Sequence, residues 1–179
     1  MIAHIHGKLV EKTPTHIIID CGGIGYHVNI SLHTYSLLPN TDFIKVYTYL
    51  QIKEDAHTLF GFIEKSEREI FKLLLSVSGI GASIARTMLS SLDPKQVINA
   101  IASSDVVTIQ SVKGIGSKTA QRVILDLKEK VLKLYDLDEA TITLKTMLLY
   151  DKEILKNQRK ELKTQIKELK YKIKNLISF

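Results

Sequence analysis

The sequence of 179 residues contains one cysteine, three prolines and no tryptophan. The lone Cys21 excludes an internal disulfide framework and a zinc site built from cysteines. No apolar run approaches the roughly 20 residues of a membrane-spanning helix, and Met1–His6 lacks the charged start and apolar stretch of a signal peptide. We therefore expect a folded cytoplasmic protein that has no contact with a membrane.

A catalytic or metal site is equally hard to find. All six histidines lie at or before His57 and show no metal-ligand spacing. His4 and His6 share one face of a predicted strand, which favours a surface or interface role over a metal or phosphate contact. Cys21 has no recognisable base partner, and we expect it to be a buried strand residue. The sequence thus predicts no catalytic residues, no metal and no cofactor.

Positive charge is concentrated near the end of the chain. Residues 1–150 hold 16 Lys and Arg against 15 Asp and Glu, whereas residues 151–179 hold nine against four. The first part is therefore nearly neutral. A nucleic-acid contact made there must depend on local groups, because no overall positive field is available.

The pattern of apolar residues predicts an α+β protein. Five short apolar or alternating runs separated by turn residues indicate a barrel of the OB type; they are Ile2–Val10, His16–Cys21, Tyr26–Ser31, Phe43–Gln51 and His57–Phe62. We expect Gly23 and Gly25 to permit a tight hairpin or bulge, and Tyr47–Tyr49 to pack the barrel rather than stack on bases. The predicted domains are a barrel (1–63), an all-α domain of tandem hairpins (64–135) and a helical tail (136–179).

Two helix starts in the second domain can be placed from the sequence. Asp93 suits an N-cap, Pro94 suits the first turn and Gln96 sits at the capping-box position. A long helix is predicted from about Ser117 to Leu134.

One internal repeat dominates the second domain. Ser76–Ala85 recurs as Ser111–Ala120, with six of ten positions identical. Each copy reads as a helix end, then Gly-Ile-Gly, then a new helix. The glycines allow positive φ and close approach of a ligand, and the isoleucine can enter the core. The new helix begins with unpaired N–H groups that suit an anion, which in DNA is a phosphate.

The repeat therefore yields a set of candidate DNA-binding residues, which are Gly79, Gly81, Ser83, Lys113, Gly114, Gly116, Ser117, Lys118 and Arg122. Two hairpins that only pack together are the alternative for this repeat. A nucleotide-binding loop is disfavoured, because the Gly-x4-Gly-Lys-Ser/Thr spacing is missing and a helix, not a strand, precedes the motif.

A five-stranded barrel followed by two such hairpins resembles the RuvA family, the Holliday-junction-binding subunits of bacterial branch-migration complexes. The matching motifs lie within residues 1–134 and are Gly22–Tyr26, Lys53–Ala56, Leu59–Phe62 and both Gly-Ile-Gly segments.

The resemblance implies a scaffold without catalytic activity that serves recombination and DNA repair. One homotetramer, or two, would hold a four-way DNA junction flat for the RuvB ATPase motor, with the RuvC resolvase as a further partner. It also implies that Glu54 and Asp55 form an acidic pin, whose charge repels phosphates at the crossover.

Two segments depart from the family pattern. A basic residue often follows the first hairpin closely, but Ala82 and Ser83 stand here, which leaves Arg86 as a candidate. The Lys-rich tail carries a short heptad seam of Leu162, Ile166, Leu169, Ile173 and Leu176. Three roles remain open for it: a packed helix, a RuvB-docking element or a basic clamp on DNA.

Two further readings of the whole chain remain open. It could be a structure-selective DNA-binding subunit of a repair nuclease complex, or an OB-fold protein that binds single strands.

Overall fold

The computed structural model describes residues 1–135, 155–156 and 158–167. Five strands close into a barrel in the order β1-β2-β3-β5-β4. They are β1 (His4–Lys12), β2 (His16–Asp20), β3 (Gly25–Asn29), β4 (Phe43–Ile52) and β5 (His57–Phe62). The predicted α+β class and barrel are confirmed, although the predicted strand ends differ by a few residues. Within the described part of the chain, no helix is long and apolar enough to cross a membrane.

Alternating side chains fill the barrel. Ile17, Ile19, Val28 and Val46 are fully buried, because every second residue of a strand points inward. Strand β3 pairs with β5 in parallel, while the other neighbouring strands pair antiparallel. Burial of this apolar core leaves the outward faces of the strands free for polar residues.

The turn between β2 and β3 corrects two expectations. Asp20 ends β2, and its side chain accepts a hydrogen bond from the backbone N–H of Gly23 at 3.0 Å. Gly22 and Gly23 take the positive φ values of 69° and 91° that the reversal needs, whereas Gly25 does not. Cys21 therefore lies in this turn and is half-buried, not a buried strand residue.

A short helix between β3 and β4 was not predicted. Helix α1 (Leu32–Leu37) begins at Ser31, whose hydroxyl accepts a hydrogen bond from the backbone N–H of Thr34 at 2.9 Å. Six residues are too few to show a helical period in the sequence. A helix of this length depends on its contacts in the fold.

Between the barrel and residue 135, the structure has five further helices. They are α2 (Lys65–Leu75), α3 (Ala82–Ser91), α4 (Pro94–Ala102), α5 (Val106–Gln110) and α6 (Ser117–Leu134). The capping box of Asp93 and Gln96 is present at the start of α4, as predicted, and α6 has its predicted bounds.

The tail is described only in part. Residues 158–167 are helical, and the side chains of Leu162 and Ile166 are exposed. The other members of the predicted heptad seam, Leu169, Ile173 and Leu176, lie outside the described residues.

Aromatic rings join the barrel to α2. Phe71 is fully buried, and the centroids of its neighbours' rings lie 5.1–5.5 Å from its own. These neighbours are Tyr49 on β4 and Phe60 and Phe62 on β5. Tyr49 thus packs the barrel against the helices, in line with the expectation from sequence.

A buried carboxylate links α2 to α1, the short helix between β3 and β4. Glu67 is fully buried and accepts hydrogen bonds from the hydroxyls of Ser31 and Thr34 at 2.5 and 2.6 Å. Burial raises the pKa of Glu67, and the two hydroxyl donors and His33 oppose this effect. The charge of Glu64 nearby adds to the rise.

The Glu67 link predicts a pH-dependent stability. Because its pKa is higher in the folded state, the stability that Glu67 contributes is full below about pH 4.3 and is lost as the pH rises through the folded pKa. The variant Glu67→Gln does not titrate there. Its free energy of unfolding should therefore rise relative to the wild type with increasing pH, by about 1.4 kcal/mol for each pH unit between the two pKa values.

Urea unfolding of both proteins between about pH 4 and pH 8 measures this difference, and the other titrating groups cancel in the comparison. A difference that stays constant with pH would show that the carboxyl does not titrate differently in the fold.

Candidate nucleic-acid interface

The two copies of the repeat fold into matching hairpins. Ser76–Gly81 connects α2 to α3, and Ser111–Gly116 connects α5 to α6. The first glycine of each Gly-Ile-Gly has nearly the same positive φ, 93° at Gly79 and 91° at Gly114. A side chain at either position would strain the backbone. These two glycines are therefore required by the shape of the turn.

The isoleucine between the glycines anchors each turn. Ile80 and Ile115 are each only 5% exposed. Their backbone N–H groups donate to the carbonyls of Val77 and Val112, in both cases at 3.1 Å. This equivalence confirms the expectation that the isoleucines enter the core. It also fixes the backbone on either side of them.

The second glycine of each motif has a different role. Gly81 and Gly116 are the N-caps of α3 and α6 and have extended backbones, with φ of −91° and −82°. A Cβ at either position would meet no atom of the protein within 4 Å. Neither the backbone nor the internal packing demands glycine there. The open space suits a ligand that approaches the backbone closely.

The helices that follow these glycines start without side-chain caps. No side chain bonds to the first-turn N–H groups at the N-caps of α3 and α6, whereas Asp93 and Asp105 cap α4 and α5. The first turns of α3 and α6 therefore present N–H donors and the positive end of the helix dipole. Helix α2 also lacks a capping bond, but no Gly-Ile-Gly turn precedes it.

Cationic side chains surround only the second hairpin. Lys113, Lys118 and Arg122 are exposed, and none of them forms an ion pair with another described residue. Ser117 is exposed beside them. In the first hairpin the exposed Ser78 and Ser83 stand where the second has Lys113 and Lys118. The second hairpin thus combines open amides with positive charge, and the first offers amides and hydroxyls.

Arg86, the candidate cation of the first hairpin, is partly engaged within the chain. Its guanidinium donates hydrogen bonds to the carbonyl of Thr15 and the side-chain oxygen of Asn29, both at 3.2 Å. The side chain is half-buried against the barrel. Both bonds use Nη1, one of the three nitrogens of the guanidinium, so a phosphate contact by Arg86 stays a prediction.

The candidate acidic pin is the tip of the β4–β5 hairpin. Ile52 and His57 pair across the strands, and the N–H of Lys53 donates to the carbonyl of Ala56 at 2.9 Å. Glu54 and Asp55 lie between them and are exposed. Two carboxylates thus stand together at the end of a long hairpin, where they can act on a ligand by repulsion.

The same residues do not form a metal site. Among the described residues, no group of three or more His, Cys, Asp or Glu side chains is arranged to hold a metal ion.

Comparison with known proteins agrees with this architecture. Residues 1–61 match the family model of the RuvA N-terminal domain, and residues 71–129 match that of a SAM-like tandem helix-hairpin-helix. A relative from Flavobacterium psychrophilum is 76% identical over 143 residues, which are 80% of this chain and 74% of the relative. The chain belongs to the RuvA family.

Other members of the RuvA family extend this match. The relative from Christiangramia forsetii is 61% identical over 165 residues, 90% of this chain and 86% of its own. That from Cytophaga hutchinsonii is 57% identical over 133 residues, 74% of this chain and 67% of its own. All three are named Holliday junction branch migration complex subunit RuvA.

Replacing the second glycine of each motif by serine should lower the affinity for DNA without lowering the stability of the fold. Because Ser is at least as good an N-cap as Gly, Gly81→Ser and Gly116→Ser should each change the free energy of unfolding by only a few tenths of a kcal/mol. The new hydroxyl would fill the open space and bind the free amides. We expect the affinity for duplex DNA to fall about tenfold, the loss of one charge-assisted hydrogen bond of about 1.5 kcal/mol.

Gly114→Ser is the matched control for stability, since the same side chain at positive φ should lower the free energy of unfolding by about 1–2 kcal/mol. Urea unfolding measures this free energy, and fluorescence anisotropy with labelled duplex measures the affinity for DNA. Wild-type affinity in Gly116→Ser would contradict phosphate binding at this helix start.

Proposed function

We propose that this chain is the DNA-binding subunit of a branch-migration complex and binds four-way DNA junctions. The observation that carries the proposal is the pair of matching hairpins, each ending in an uncapped helix start with open space in front of it. The names of the relatives as Holliday junction branch migration complex subunits support it.

The proposed mechanism uses attraction and repulsion at separate places. Phosphates bind at the helix starts that follow Gly79–Gly81 and Gly114–Gly116. Lys113, Lys118 and Arg122 add charge at the second hairpin. Contacts of this kind carry no base information, so binding is independent of sequence.

Junction selectivity arises from the pin in this account. Glu54 and Asp55 repel phosphates that lie too near, and an open crossover is where strands diverge and leave room for such a tip. A continuous duplex offers no equivalent gap.

The proposed assembly is a homotetramer, used singly or as a pair on one junction. Its ATP-driven partner is RuvB, with the RuvC resolvase as a further partner, and the chain itself hydrolyses nothing. We propose the three domains at 1–63, 64–135 and 136–179, a cytoplasmic location, and a RuvB-docking role for the tail.

A competition assay tests the proposal. At about 150 mM salt, where weak exposed contacts are largely screened, a synthetic four-way junction competes with linear duplex of the same arm sequences. We expect the junction to win by roughly 100-fold, a difference of about 2.7 kcal/mol. Equal affinity for junction and duplex would show that the hairpins bind duplex DNA in general and do not select junctions.

The variant Glu54→Gln with Asp55→Asn serves as the second arm of this assay, because it removes the repulsion and keeps the size of both side chains. It should still bind the junction while its preference over duplex changes. An unchanged preference would rule out a role for the pin in discrimination. Cutting of the junction by wild type with Mg²⁺ would instead favour a nuclease.

A further inference from the structure

Positively charged side chains also cluster on an outer face of the barrel. The residues of this face all precede the two Gly-Ile-Gly motifs in the sequence. Strands β1 and β4 pair antiparallel, with His4 opposite Tyr47, His6 opposite Lys45 and Lys8 opposite Phe43. Residues directly opposite each other in such a pair point to the same side of the sheet. These six side chains and those of Lys65 and Arg68 on α2 together form a surface of eight residues, which we call the β1–β4 basic face.

Three cations of this face converge on a single ring. The amino groups of Lys45 and Lys65 lie 5.6 and 5.4 Å from the centroid of the Tyr47 ring, and the guanidinium carbon of Arg68 lies 5.5 Å from it. Each distance is within the range of a cation–π contact. Tyr47 is half-buried. Its ring thus serves as a fixed centre around which three positive charges are collected.

The chain provides little counter-charge at this point. Arg68 pairs with Glu69 at 3.3 Å and donates to the carbonyl of Ala3, and Glu69 is shared with Lys72. Among the described residues, neither Lys45 nor Lys65 forms an ion pair. Three positive charges around one ring repel one another, and a nearby anion would reduce that cost.

We infer that the β1–β4 basic face binds the phosphodiester backbone of DNA as a contact separate from the two Gly-Ile-Gly turns. This inference rests on the proposed function for the choice of polyanion. Residues 1–150 contain 16 cationic and 15 acidic residues and are therefore nearly neutral overall. The cluster of positive charge on this face is thus a local feature. The exposed lysines lie on the same surface as the exposed His4 and His6. Such a surface suits the DNA backbone, whose phosphates carry no sequence information.

Salt dependence of binding measures this contact directly. Each phosphate contact contributes about −0.9 to the slope of log K against log salt concentration on duplex DNA. The double variant Lys45→Gln with Lys65→Gln should therefore bind linear duplex and four-way junction with a slope about 1.8 smaller in magnitude than wild type. Its melting temperature should stay close to that of wild type, because both lysines are exposed.

A double variant elsewhere controls for net charge. Lys95→Gln with Lys130→Gln removes the same charge from exposed positions on α4 and α6, and Lys130 lies about 20 Å along α6 from Gly116. We expect its slope to match that of wild type.

Equal slopes for wild type and the Lys45/Lys65 variant would overturn the inference and would leave the face to an acidic protein partner. An equal fall in both double variants would also overturn it, since only net charge would then matter. The result is separable from the proposed function: the slope on linear duplex decides this contact even if the wild type shows no preference for junctions.

Discussion

The interface depends on one constraint, a turn that buries an isoleucine between two glycines. Because Ile80 and Ile115 are held in the core, the preceding glycine must take positive φ and the following one must begin a helix. No side chain caps that helix. The packing of the isoleucine thus fixes where the helix starts, and the missing side chain of the second glycine leaves the first-turn amides unpaired.

The remaining features fit around this constraint. The aromatic contacts of Phe71 tie α2, which is the first helix of the first hairpin, to the barrel that carries the pin. The buried carboxylate of Glu67 ties the same helix to α1. The proposed attraction at the helix starts and the proposed repulsion at Glu54 and Asp55 thus belong to one compact unit, Met1–Asp136. Shape selectivity needs such a fixed arrangement, because neither contact reads bases.

Much of this could be predicted from sequence. The repeat around Gly79 and Gly114 and the start of α6 depend on local backbone chemistry, which short motifs encode. Cys21 and α1 were misjudged or missed, because the end of β2 and the stability of a six-residue helix depend on neighbours far along the chain. Arg86 shows the same limit: its partners Thr15 and Asn29 are brought to it only by the fold.

The joint at Glu67 and the cluster around Tyr47 had no signal in the sequence. Both bring together residues that are distant in the chain, and a single glutamate or tyrosine carries no hint of its partners. The role of each candidate DNA-binding residue stays a prediction until it is measured.

The central claim is that the free amides at the starts of α3 and α6 donate to DNA phosphates. Amide hydrogen exchange at Gly81–Ser83 and Gly116–Lys118, with and without a saturating four-way junction, tests it most directly. We expect slower exchange at both segments when the junction is bound. Unchanged exchange at both segments, while the junction remains bound, would contradict it.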